Sequence, residues 1–276
     1  MITSINDRVT LNNGISMPWF GLGLYKVTDA KEIDRAIKTA LQIGYRAFDT
    51  ATFYRNERFI GKALRESGIP REEIFLTSKV WNDAQRQKRT MEVFDESLED
   101  LDSAYVDLYL IHWPVAGFFK QTWQVLEEIH RSGRARAIGV SNFLVHHLED
   151  LLADSQVVPA IDQVEFHPYL FQKELLNFCR GHAIQLEAWG PLMKGQIVTK
   201  KPLITLAEKY HRTPAQIALR WDLQHEVVTI PKSSKPERIL ENAQVFDFEL
   251  SPEDMHLLDG LDEGLRLGPN PDHVTF

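Results

Sequence analysis

The chain has a single cysteine, Cys179, among 276 residues. That excludes an internal disulfide and any zinc site built on paired cysteines. No run of about 18 apolar residues occurs, the length a helix needs to span a bilayer. The opening stretch, Met1 to Val9, has no basic segment followed by an apolar one, the pattern of a secretory signal. These absences fit a reducing, cytoplasmic setting. Basic residues are in deficit: the net charge is −8. No nucleic-acid or membrane partner is therefore expected, although a local basic site is compatible with that charge. An exposed heptad pattern is also missing, which together with the lone thiol favours a monomer. Two phosphate-binding signatures fail. Gly21-Leu22-Gly23 begins like G-x-G-x-x-G, but position 26 is Lys, and no Walker A sequence exists.

What is present is alternation. Apolar residues alternate on both sides of Asn13-Gly14, which predicts a two-residue hairpin turn with φ > 0 at both positions. Strands are then expected at Trp19–Leu24, Arg46–Asp49, Ile74–Lys79, Val106–His112, Ala135–Val140, Ile161–Glu165, Gln185–Ala188 and Val227–Pro231. Between them lie amphipathic stretches. Ile33, Ala36, Ile37, Ala40 and Leu41 share one helical face, with Asp29 as N-cap and Gly44 as stop. Thr213-Pro214 opens another helix, with proline at its first position. Strand–helix alternation repeated eight times predicts a parallel sheet closed into an α/β fold, a (β/α)8 TIM barrel. The hairpin has no place in the ring and is expected to plug its N-terminal mouth. No Pro/Gly/Ser-rich linker divides the chain, so residues 1–276 read as one barrel domain. The tail from Gly264 to Phe276 lacks periodicity and reads as a C-terminal loop over a mouth.

Active sites of such barrels sit at the C-terminal ends of strands. There the sequence places Asp49 (with Tyr54 just beyond), Lys79, His112, Ser141-Asn142, Gln163, Trp189 and Lys232-Ser233. Taken singly, each has a plain explanation: a helix cap, a core aromatic, a rim charge, a structural histidine. Four titratable side chains converging on one mouth are harder to dismiss. Here the chain resembles the aldo-keto reductase superfamily over nearly its whole length. The stretches that carry the resemblance run from Asp49 through Tyr54 to Asn56-Glu57, Thr77 to Lys79, Leu110 to Pro114, Ile138 to Phe143, Gln163 to Pro168 and Ile230 to Asn242. Short loops and the choice of Trp113 and Trp189 are most similar to the bacterial branch of 2,5-diketogluconate and glyoxal or methylglyoxal reductases.

The resemblance implies a catalytic tetrad of Asp49, Tyr54, Lys79 and His112, with Tyr54 as general acid in carbonyl reduction. A phenol titrates near ~10, a weak acid for fast transfer at neutral pH. An ammonium about 4 Å away contributes roughly 4 kcal/mol at an effective dielectric of ~20, enough to lower the phenol pKa by up to about three. Lys79 is expected to supply that charge, Asp49 to hold Lys79, and His112 to hydrogen-bond the substrate oxygen.

Hydride chemistry needs a carrier. The run Pro231-Lys232-Ser233-Ser234-Lys235-Pro236-Glu237-Arg238 puts three cations at a helix start. Cations there oppose the helix dipole, a conflict that a bound anion relieves. A solvated basic loop is the competing reading. By resemblance this is the site for an adenosine 2′-phosphate, which implies NADPH/NADP+: Lys232, Ser233 and Arg238 toward the phosphate, Glu241 and Asn242 toward the adenine, Pro231 and Ser234 alongside. The same resemblance assigns Ser141, Asn142 and Gln163 to the nicotinamide carboxamide and Trp189 to the ring, where many members have Tyr. Asp49 borders the ribose, and Gly23, Leu24, Gly190, Pro191, Leu192 and Lys194 complete the cradle. Tyr25, Phe53, Trp81, His112 and Trp113 read either as barrel packing or as an aromatic pocket for small carbonyl compounds.

His146-His147-Leu148-Glu149 lacks the His i, i+4 spacing of zinc proteases and reads as a solvated helix face, so no metal is expected. Glu165 and His167 read as structural. Two other function classes stay open: an aldolase-like barrel with Lys79 as Schiff base, and a cofactor-binding regulatory subunit. No segment ahead of the hairpin is available to dock onto a partner, which ranks that last reading lowest.

Overall fold

The computed structural model describes residues 2–276. β1 (Arg8–Thr10) and β2 (Ser16–Pro18) form an antiparallel hairpin. The chain then runs through β3 (Leu22–Gly23), α1 (Ala30–Ile43), β4 (Ala47–Asp49), α2 (Glu57–Glu66), β5 (Phe75–Val80), α3 (Asn82–Arg86), α4 (Thr90–Leu101) and β6 (Val106–Ile111). It continues through α5 (Phe119–Arg131), β7 (Ala135–Ser141), α6 (Val145–Leu152), β8 (Ile161–Glu165), α7 (Lys173–Gly181) and β9 (Gln185–Trp189). It ends with α8 (Lys201–Tyr210), α9 (Pro214–Gln224), β10 (Val228–Thr229), α10 (Pro236–Ala243) and α11 (Pro252–Asp259). The helix signals act as expected. Asp29 accepts the Glu32 N–H at 2.9 Å, Gly44 takes φ 114°, and Thr213 and Gln216 form a capping box ahead of Pro214.

β3 to β10 lie side by side in chain order, all parallel. Parallel bridges between Phe20 and Thr229 and between Gly23 and Lys232 join the first strand to the last. The ring is therefore closed, but its seam is thinner than Trp19–Leu24 against Val227–Pro231 would imply. Pro231 has no N–H to give, so one rung of the seam is missing there, although its carbonyl still accepts from the Gly23 N–H. A Cβ on Gly23 would lie 3.0 Å from the Ile230 carbonyl oxygen, so this close approach needs glycine.

Inward and outward residues alternate along each strand. On β6, Leu108 and Leu110 pack inside the ring with Ala47, Phe75, Ala137, Ile161 and Val228. Tyr109 and Ile111 pack outward against the helices. The hairpin adds Leu11 and Met17 to the inner cluster. Asn12 and Asn13 tie it to the starts of β8 and β7, donating to the Pro159 and Arg136 carbonyls at 2.9 and 3.0 Å. The hairpin thus plugs the N-terminal mouth. Its turn differs from the two-residue form. Gly14 N–H donates to Leu11 O and Leu11 N–H to Ile15 O, and only Gly14, at φ 83°, is left-handed. The loop is a three-residue type I turn closed by an αL glycine, because Asn12 joins it to meet Pro159. The tail crosses the opposite mouth. Leu267 and Gly268 N–H donate to the Glu165 carboxylate at 2.8 and 2.9 Å, and Phe276 O accepts from Asn82 and Arg86.

Candidate active site

Lys79, on β5, is fully buried beneath the C-terminal mouth. Its Nζ donates to both Asp49 oxygens at 2.6 and 2.7 Å and to Thr50 O at 2.9 Å. An ammonium has three donors, so none is left over. Tyr54 ends a single 3₁₀ turn, Thr52–Tyr54, that follows β4. Asn56 staples this segment down. Its oxygen accepts from Thr50 Oγ1 at 2.6 Å, and its nitrogen donates to Leu24 O and Val27 O at 2.9 Å. In the sequence Asn56 and Glu57, beyond carrying the resemblance, read as a helix start. Glu57 is in fact buried and accepts from Ser78 and Ser97, and burial pushes its carboxyl up to about 7.

Lys79 Nζ lies 5.1 Å from the Tyr54 ring centre, and the His112 ring stands edge-on to Tyr54 at 5.6 Å. One electrostatic expectation fails. The Tyr54 phenol is raised well above its ordinary value, first by burial and then by Asp49, rather than lowered by Lys79. Asp49 meets the ammonium at contact distance and offsets part of its field at the phenol. Tyr54 therefore stays protonated until negative charge develops beside it. Burial and then Lys79 push the His112 imidazole well below its usual range, so it is neutral. Among the described residues its Nδ1 has no partner.

The wall beyond His112 is one connected set. Asn142, left-handed at φ 63°, donates to His112 O at 2.9 Å and accepts the Trp189 indole N–H at 2.8 Å. Ser141 Oγ donates to Gln163 O at 2.7 Å. Gln163 Nε2 donates to Asp49 Oδ2 and to Glu187 Oε2, each at 2.8 Å. Glu187, which the sequence reading missed, is buried inside the ring. Leu24 does not present itself as expected: its side chain is in the outer core and its backbone groups pair with Asp49 and Asn56. Gly190 turns at φ 66° toward Pro191 and the half-buried Leu192. Lys194 reaches outward to Leu267 O at 2.7 Å.

Around the seam, Pro231, Ser233, Ser234 and Asn242 are buried, Glu241 is half-buried, and Lys232, Lys235 and Arg238 are exposed. No ion pair involves these three cations among the described residues. α10 starts at Pro236 with no side-chain cap, and three unpaired cations stand around its first turn, an arrangement suited to a phosphate.

Aromatic rings line the rest of the mouth. Phe53 stacks on Trp81 at 3.8 Å, and Trp81 stands edge-on to His112 at 4.9 Å. Tyr25 packs on Tyr54 at 4.9 Å. Trp113 meets Phe276 at 5.4 Å, a partner missed because the tail has no periodicity to read. His146, His147 and Asp272 also cluster. However, His147 Nδ1 accepts the Leu144 N–H at 3.1 Å. The neutral ring then carries its proton on Nε2, facing Asp272, with no lone pair there for an ion.

The assembly joins a buried Lys–Asp pair, a protonated phenol and a neutral imidazole beside an aromatic wall. The chain is 54% identical over 276 residues to the glyoxal reductase of Bacillus subtilis (strain 168), covering 100% of both chains. It is 44% identical over 268 residues to the methylglyoxal reductase DkgA of Salmonella typhimurium, covering 96% of each. The structure of a Gox0644 mutant in complex with NADPH matches with a TM-score of 0.92 at 40% identity, covering 98% of this chain and 99% of that one. Residues 19–263 match the Aldo/keto reductase family, and the chain belongs to that family.

Proposed function

We propose that this protein reduces small aldehydes, ketones, dicarbonyls such as methylglyoxal, and keto-sugars to alcohols with NADPH, and that Tyr54 is the general acid. The observation that carries this reading is the placement of the Tyr54 ring, with Lys79 Nζ 5.1 Å from its centre and the His112 ring edge-on at 5.6 Å. The residues present fit the cofactor. Three unpaired cations around the start of α10 suit a 2′-phosphate. The side-chain amide oxygen of Gln163, which has no partner among the described residues, suits a carboxamide. Lys232, Ser233 and Arg238 would hold the phosphate, with Glu241 and Asn242 at the adenine. Ser141, Asn142 and Gln163 would hold the carboxamide against the Trp189 ring.

When bound, the cofactor supplies hydride to the carbonyl carbon. The remaining work belongs to side chains of this chain. His112, neutral, donates a hydrogen bond to the carbonyl oxygen and orients it. Tyr54 gives its proton as negative charge grows on that oxygen. The Lys79–Asp49 pair fixes the ammonium 5.1 Å from the ring, where it stabilises the developing phenolate. Phe53, Trp81, Tyr25 and Trp113 exclude water and set substrate size. Similarity to a glyoxal reductase supports the dicarbonyl end of the substrate range. A Schiff-base role for Lys79 is disfavoured, because Asp49 and Thr50 engage its Nζ on three sides and leave no open approach for a carbonyl carbon. The whole chain acts as one barrel domain in this reading. It is a cytoplasmic monomer, and among the described residues no helix is long and apolar enough to cross a membrane.

The test is a panel of carbonyl compounds, read by NADPH absorbance, with wild type and Arg238→Ala. Wild type should consume NADPH with small dicarbonyls. Arg238→Ala should weaken NADPH by roughly 10- to 100-fold, the worth of a charge-assisted contact, and NADH far less. Equal losses for both would sink the 2′-phosphate assignment.

A further inference from the structure

We propose that Glu187 is a positioning residue at the cofactor end of the site: it takes one N–H of the Gln163 side-chain amide while Asp49 takes the other, so that only the amide oxygen of Gln163 is left to meet a ligand. This rests on the NADPH reading above, which supplies the ligand group in question.

Glu187 sits on β9 and faces the barrel interior, with Gln163 beside it on β8 and Val228 beside it on β10. It is 1% exposed. Its Oε2 lies 2.8 Å from Gln163 Nε2, which lies 2.8 Å from Asp49 Oδ2. An amide nitrogen has two hydrogens, and both are used. Turning the amide over would set its carbonyl oxygen against the Asp49 carboxylate, two acceptors at hydrogen-bond distance, and forfeit that bond. The two carboxyl groups therefore select one face of Gln163. The exposed face accepts, which suits the NH₂ of a carboxamide and rejects a second acceptor.

Charge explains why Glu187 does this as an acid rather than as an anion. The titratable groups within its reach are Asp49 on β4, Lys79 on β5 and Tyr54 just after β4, while its strand neighbours Gln163 and Val228 carry no charge. One ammonium cannot balance two buried carboxylates. Burial, and then Asp49, push the Glu187 carboxyl up to about 8. At neutral pH the core is thus one ion pair plus a neutral acid. Above about pH 8 it gains a second buried anion, which opposes the departure of the Tyr54 proton and should slow reduction.

The experiment compares wild type, Glu187→Gln and Glu187→Ala by three readouts. The first is the infrared carbonyl stretch of a buried protonated carboxyl, followed against pH without cofactor. Wild type should show a band that disappears as pH passes about 8 and is missing in Glu187→Gln. The second is fluorescence binding of NADPH and of its acetylpyridine analogue, which lacks the NH₂. Glu187→Ala should weaken NADPH about tenfold, the worth of one lost hydrogen bond near 1.4 kcal/mol, and the analogue less. Glu187→Gln, whose amide oxygen still accepts from Gln163, should rescue NADPH to within about threefold of wild type, a difference under 1 kcal/mol. The third is kcat against pH, where Glu187→Gln should lose the alkaline fall seen in wild type. An unchanged alkaline fall in Glu187→Gln, or wild-type preference for NADPH over the analogue in Glu187→Ala, would overturn the proposal. A wild type that turns over no carbonyl with NADPH would instead count against the functional reading. The infrared titration would still decide whether Glu187 is held neutral, and its absence would overturn that claim.

Discussion

At the N-terminal end of the barrel interior, the inward residues are Ala47 on β4, Phe75 on β5, Leu108 and Leu110 on β6, and Ile161 on β8, sealed by Leu11 and Met17 of the hairpin. Farther along the same strands, or just past their ends, the inward positions hold Asp49, Lys79, His112 and Gln163, with Glu187 on β9. Strand period and direction are shared, so a step of two to four residues takes the lining from hydrocarbon to charge. The apolar end contributes stability through burial. The polar end carries an ion pair whose desolvation cost offsets much of its attraction, which a stability-driven interior would not keep. The two ends should therefore respond differently to substitution.

Lys79→Met should show the largest combined effect. It leaves Asp49 buried without its counter-ion and should lower stability by about 3–5 kcal/mol while abolishing turnover. Adding Asp49→Leu should recover much of the stability and none of the activity, as read by denaturant melts and NADPH consumption. Recovery of both would break the distinction between the ends. Leu108→Ala comes next. It should cost about 2–5 kcal/mol by opening a cavity in the inner cluster, yet kcat per folded molecule should stay near wild type. A large kcat loss at full folding would show that the apolar end also tunes the chemistry. The smallest effect is expected at Gly14→Ala. An added Cβ meets nothing within 4 Å there, so only the left-handed backbone is penalised, by roughly 1 kcal/mol, with activity unchanged. A loss of several kcal/mol would mean that the plug does more than close the ring.

How much of this was legible in the sequence follows from the same contrast. Asp49, Tyr54, Lys79 and His112 stand at or just beyond strand ends, where short apolar runs break into polar residues, and a barrel makes strand ends converge. Glu187 was not legible. In Gln185-Leu186-Glu187-Ala188-Trp189 the alternation reads as a half-exposed strand, and only ring closure turns its polar face into an interior. Glu57 hid similarly: a glutamate opening a helix looks like a dipole partner, whereas here it is buried against Ser78 and Ser97. The Tyr54 electrostatics are not legible because the sequence shows neither the burial of the phenol, the larger cause, nor the bidentate Asp49 contact that offsets part of the Lys79 charge. Asn13-Gly14 suits both a two-residue turn and a three-residue turn closed by an αL glycine, so the local residues alone do not choose between them.

The central claim is that Tyr54 delivers the proton, and the most direct measurement is Tyr54→Phe assayed for NADPH binding and for single-turnover reduction of glyoxal. The account predicts NADPH affinity close to wild type and a reduction rate lower by about 10²- to 10⁴-fold, the range lost with a general acid. A variant that binds NADPH and reduces glyoxal at the wild-type rate would contradict it.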